Sequence, residues 1–129
     1  MHCDLPAIKE LCDELGINTS IHDGKLVKVM LENDVFLCFE NIEEGDCLIG
    51  FEGTPWHFHG DIQFCDGRGY YLDVNYLDVI TEITKGKILV CELWENEKLE
   101  DRYLIHNEYN DEFKYMQPNE KIVVKSYAK

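Results

Sequence analysis

His57-Phe58-His59, with Asp61 two residues further on, is the part of this chain whose residue types and spacing could do chemistry. Side chains on an extended segment repeat every second residue. His57, His59 and Asp61 are therefore expected on one face, with Trp56 and Phe58 on the other. Two adjacent imidazoles followed by a carboxylate are donors for a divalent transition metal, or parts of an acid–base site. His22 and His106, each closing an expected strand, are candidates to complete the set.

The H-x-H pair resembles the opening of the cupin motif, in which such a pair on a strand begins a metal site. The resemblance covers His57, Phe58 and His59. At the positions where a cupin carries its acidic ligand this chain has Gln63 and Phe64. The second half of that motif, a Pro-x-Gly followed by another His, is missing.

Other catalytic patterns are thinner. Cys65 lies near the histidines, but a reactive thiolate needs an electropositive setting, and Asp61 and Asp66 flank it with only Arg68 close by. Gly67-Arg68-Gly69 lacks the P-loop lysine and the dinucleotide glycine pattern, and no G-x-S-x-G elbow occurs. With 26 acidic residues in 129, adjacent carboxylates are uninformative. The balance leans towards a protein that is not an enzyme and carries no cofactor, with a divalent transition metal at His57, His59 and Asp61 as the alternative.

The elements that must position these residues follow from periodicity. Leu5, Ile8, Leu11, Cys12 and Leu15 recur at helical spacing, with Asp4 as N-cap and Gly16 as terminator. From Asn18 the period becomes two. Strands are expected over 19–22, 25–32, 35–41 and 47–52, joined by turns at Asp23-Gly24, Asn33-Asp34 and Glu43–Asp46. Further strands follow over 61–65, 70–74, 88–94, 99–106, 113–116 and 122–127. Residues 76–84 satisfy both periods; their β-branched content favours a strand. The expected fold is α+β, an N-terminal amphipathic helix packed on a largely antiparallel, meandering sheet, in a single domain spanning 1–129.

Twelve basic residues against 26 acidic give a net charge of −14. Such a surface repels nucleic acid and anionic lipid and attracts a basic protein. No stretch approaches the ~20 apolar residues of a membrane span, and Met1-His2-Cys3-Asp4 lacks the basic and apolar regions of a signal peptide, so a cytoplasmic location is expected. The six cysteines are scattered, without a C-x-x-C pair, and are expected as reduced core thiols.

Acids and aromatics interleave most densely near the C-terminal end. Glu92, Trp94, Glu95, Glu97, Glu100, Asp101, Tyr103, Tyr109, Asp111 and Glu112 form the candidate partner surface, with aromatics as anchors and carboxylates for steering. In size, class and charge the chain resembles the small acidic inhibitors and immunity proteins that neutralise basic toxins in bacteria. That resemblance implies a basic protein partner and occlusion of its cationic substrate-binding residues. A homo-oligomer formed through an exposed strand edge is a further possibility.

Overall fold

Leu5, Ile8 and Cys12 form the buried stripe of α1 (Leu5–Leu15), the first element of the computed structural model, which describes residues 1–110 and 117–129. The Asp4 carboxylate accepts the Ala7 N–H at 3.1 Å, and Pro6 sits in the first turn, where no amide hydrogen is needed. Gly16 ends the helix in the left-handed region at φ 72°.

Met1–Asp61 and Ile62–Lys129 form two compact units. In the first, five strands follow one another as a meander: β1 (Thr19–His22), β2 (Leu26–Glu32), β3 (Val35–Ile42), β4 (Asp46–Phe51) and β5 (His57–Phe58). All four pairings are antiparallel. Alternation sends Val27, Val29, Leu37, Phe39 and Ile49 inward, where all are fully buried, together with Ile8 and Cys12 of α1. The opposite face carries Lys28, Cys38 and Gly50, half-buried and in register with one another and with His57.

The segment before α1 is fastened to this sheet. The Asn41 carboxamide accepts the Cys3 N–H at 2.8 Å and donates to the Cys3 carbonyl at 3.0 Å. Cys3 is joined to Cys47 by a disulfide, with the Cα atoms 5.7 Å apart. This corrects the expectation of six reduced thiols. Asn41 and Cys47 are register partners, so Cys3 is held beside the thiol it bonds, a proximity that linear spacing does not encode. Cys12 and Cys91 are buried thiols outside any disulfide, as expected, and Cys38 and Cys65 are half-buried thiols outside any disulfide.

The second unit contains β6 (Asp61–Cys65, whose first residue closes the first unit) beside β7 (Tyr71–Asn75). It also holds α2 (Tyr76–Thr84) and a three-stranded antiparallel sheet with β8 (Ile88–Glu95) between β9 (Lys98–His106) and β10 (Glu120–Lys125). Residues 76–84 form a helix rather than the expected strand. The Asn75 side chain caps it by accepting the Leu77 N–H at 3.0 Å, and Tyr76, Val79, Ile80 and Ile83 make one buried stripe. Burial of that stripe outweighs the modest helix cost of the β-branched residues.

The architecture is α+β with mostly antiparallel strands, as the periodicity indicates. Among the described residues no helix is long and apolar enough to cross a membrane. The expected strand over 113–116 lies outside the described residues.

Candidate functional site

The histidine segment is held by close backbone contact. Gly50 pairs with His57 and Ile49 with Phe58 across the β4–β5 ladder. On the apolar side Phe58 is buried, and Trp56 stacks at tilted angles against Phe58 (5.5 Å between ring centroids) and Phe51 (6.4 Å). On the opposite side the His57 and His59 rings meet edge to face, 5.2 Å between centroids, both exposed.

Their hydrogen bonds order the two imidazoles. Nδ1 of His59 meets the Asp46 carboxylate at 2.7 Å, and Nδ1 of His57 meets the Pro55 carbonyl at 3.1 Å. A carbonyl or carboxylate oxygen only accepts, so each Nδ1 is the donor and each neutral ring keeps its lone pair on Nε2. That tautomer is suited to metal ligation. Asp46 divides its carboxylate: the second oxygen accepts the Cys47 N–H at 2.8 Å. That backbone bond first, and the His59 imidazole second, hold the Asp46 carboxyl below the usual carboxylate range.

Asp61 is placed differently from Asp46. Gly60 takes φ 71°, the Asp61 N–H returns to the His59 carbonyl at 2.9 Å, and Asp61 opens β6. The alternation assumed across His57, His59 and Asp61 is interrupted at that turn. Asp46, the first residue of β4, is a carboxylate that reaches His59, a placement that needs the strand register to be read. Among the described residues no group of three or more His, Cys, Asp or Glu side chains is placed to hold a metal ion. His22 bonds Ser20 Oγ at 3.1 Å on β1, and His106 belongs to the second unit. Cys38, one strand from Gly50 on the same face, has its thiol pushed up to about 11 by burial and by Glu52, which keeps it protonated at neutral pH.

The acidic–aromatic surface divides into a buried core and an exposed tip. Glu92 is only 3% exposed; it accepts the Arg102 Nε–H at 2.9 Å, lies 3.6 Å from Lys125 Nζ and accepts the Trp94 indole N–H at 3.4 Å. It sits on the central strand with one cation from each flanking strand, and these balance its charge within the sheet. Asp101 is half-buried, and its carboxylate accepts the Arg102 backbone N–H at 2.9 Å.

Glu95, Glu97 and Glu100 are exposed. The β8–β9 turn places Asn96 and Glu97 at φ 51° and 68°, the two left-handed residues of a tight two-residue hairpin. Leu93 faces Asp101 and Trp94 faces Leu99, so Glu100 is the extra residue of a bulge. Beside this tip a groove of about 480 Å³ is lined by Glu92, Trp94, Asn96, Glu97, Asn119, Lys121 and Val123. Tyr103 pairs with Cys91 and falls on the opposite face from Arg102. Tyr109 packs edge-on to His106, 5.4 Å between centroids. Asp111 and Glu112 lie outside the described residues.

Comparison with known proteins returned no match. No family model, curated protein or solved structure is similar to this chain. The functional reading therefore rests on the two surfaces just described.

Proposed function

We propose that this is a small acidic binding protein that captures a basic protein partner through the β8–β9 hairpin, in the manner of an immunity or inhibitor protein. The observation that carries the reading is the groove at the hairpin tip, where Trp94 and Glu97 line one concavity and Glu95 and Glu100 stand exposed nearby. A lysine or arginine entering it gains an aromatic face and a carboxylate together. The surrounding net charge of −14 accelerates encounter. Occlusion of the partner's substrate-binding cations is the mechanism. A cytoplasmic location belongs to this proposal, and the redox state of Cys3 and Cys47 in cell extracts tests it, because disulfides persist mainly in oxidising compartments.

An oligo-arginine peptide is a direct probe. Its affinity for the wild-type chain is expected to fall steeply between low and high salt. Trp94→Ala and Glu97→Lys are each expected to weaken it at least tenfold, the size of a modest anchor contribution. Affinity that is indifferent to salt, or unchanged in both variants, overturns the reading.

A second reading is favoured by the two Nε2 lone pairs at His57 and His59: surface chelation of a divalent transition metal by the imidazole pair. Added Zn²⁺ or Ni²⁺ is then expected to raise thermal stability in untagged protein and to lose that effect in His59→Ala. No rise in stability removes this reading.

A further inference from the structure

We propose that the outer face of the β2–β5 sheet binds a small amphipathic amine, with an apolar body between an ammonium group and a hydroxyl or carbonyl oxygen. Two cross-strand rows make the floor of a groove there. Leu26, Glu40 and Leu48 are register partners across β2, β3 and β4; Lys28, Cys38, Gly50 and His57 form the next row, which runs out to β5. The chain returning from β4 to β5 adds Thr54 and Pro55, and with these residues the groove encloses about 380 Å³. It lies wholly within the first unit.

Thr54 supplies the observation that points to a ligand. Among the described residues, its Oγ1 is the side-chain polar atom that is buried and has no hydrogen-bond partner. Folded proteins rarely leave such a group unpaired, because the hydration it gives up is not replaced. The residue as a whole is only half-buried and stands in the groove wall. Rotation about Cα–Cβ moves the hydroxyl among three staggered positions. A ligand oxygen seated in the groove gives it the acceptor it lacks.

Glu40 defines the other end of the ligand. Its exposed carboxylate stands between two leucines and has neither an ion-pair nor a hydrogen-bond partner among the described residues. Lys28, on the next row, is already engaged: its ammonium reaches across β3 to Glu52 at 2.5 Å. The Cys38 thiol stays protonated at neutral pH and adds no charge. An ammonium is thus matched by Glu40, while Leu26 and Leu48 on either side take the apolar body. The net charge of −14 favours a cation over an anion. The volume lies near the lower end of the range for small-molecule sites, about 300–1,000 Å³, which suits a single-ring amine. Neither Glu40 nor Thr54 belongs to the hairpin groove, so this proposal and the capture of a basic partner are tested separately.

Tyramine and phenethylamine form a matched pair of probes, since they differ only in the phenolic hydroxyl. Calorimetry is expected to show saturable binding of both, with tyramine about three- to tenfold tighter, the worth of one hydrogen bond. Thr54→Val exchanges the hydroxyl for a methyl of nearly the same shape. It is expected to erase the preference for tyramine while phenethylamine still binds. Glu40→Gln is expected to weaken both amines about three- to fivefold. Carbon NMR of the unmodified protein gives a readout that needs no variant: the Thr54 methyl resonance should move on titration with either amine, and further with tyramine. No saturable binding, equal affinity for the two amines, an unmoved Thr54 methyl, a tyramine preference that survives in Thr54→Val, or wild-type affinities in Glu40→Gln would each overturn the proposal.

Discussion

Gly50 lies directly opposite His57, and its missing side chain is what allows β5 to approach β4. A Cβ at residue 50 would come within 2.5 Å of the Trp56 carbonyl oxygen and 3.0 Å of His57 Cβ. The first of these is backbone and cannot swing aside. Gly50→Ala is therefore expected to push the Trp56-His57 segment outward at a cost of about 1–3 kcal/mol, as overpacking usually does. A shift in the urea midpoint without a change in slope reads this directly. An unchanged midpoint would mean that the close approach is absent.

The Glu92 cluster gives a second outcome. Glu92→Ala removes the carboxylate that accepts the Arg102 Nε–H, where Arg102 is itself largely buried. The expected loss is about 3–5 kcal/mol, the usual effect of breaking a buried ion pair from one side. Replacing both partners, Glu92→Leu with Arg102→Met, should recover most of it, since Lys125 is more exposed and can turn to water. Chemical denaturation of the single and double variants measures the coupling. A double variant as unstable as Glu92→Ala would contradict this account.

Reduction of the Cys3–Cys47 bond should destabilise the fold by about 3–4 kcal/mol, because opening the link frees a long loop in the unfolded chain. The two cysteines are 44 residues apart. Thermal melts with and without dithiothreitol, and of Cys3→Ser, should agree with each other. A reduced protein that melts at the same temperature as the oxidised one would refute the bond's contribution.

The neutral state of His106 predicts a pH dependence. Burial, opposed by Glu108 and Glu82 and assisted by Lys87, lowers its pKa below the ordinary 6.5. The unfolded chain then takes up the proton first. The stabilisation is fully present above about pH 6.5 and is lost as the pH falls towards the folded-state value. Protonation would also remove the lone pair that receives the Glu108 and Tyr109 amides. His106→Asn should flatten this limb of the stability curve; an unchanged limb would assign it to another group.

Much of this fold was legible because its elements obey local rules. The stripe of α1, the Asp23-Gly24 and Asn33-Asp34 turns and the alternation of β2 to β4 each follow from short-range chemistry. Residues 76–84 misled because β-branched side chains satisfy either period, and only the buried stripe beginning at Tyr76 decides between them. The His57–His59 pairing was readable from its spacing. Asp46 and Cys3 were not, since both reach their partners through strand register. Glu92 reads as a surface acid in a chain with so many of them; its burial depends on Arg102 and Lys125 arriving from two other strands.

The carboxamide of Asn41 holds both polar groups of the Cys3 backbone, as a neighbouring strand would. The segment ahead of α1 is thus secured twice, once by a covalent link and once by a pair of hydrogen bonds that do not depend on it. The redundancy separates endurance from placement: an electron donor could sever the link and lower the resistance to unfolding, while the helix stayed moored where it was.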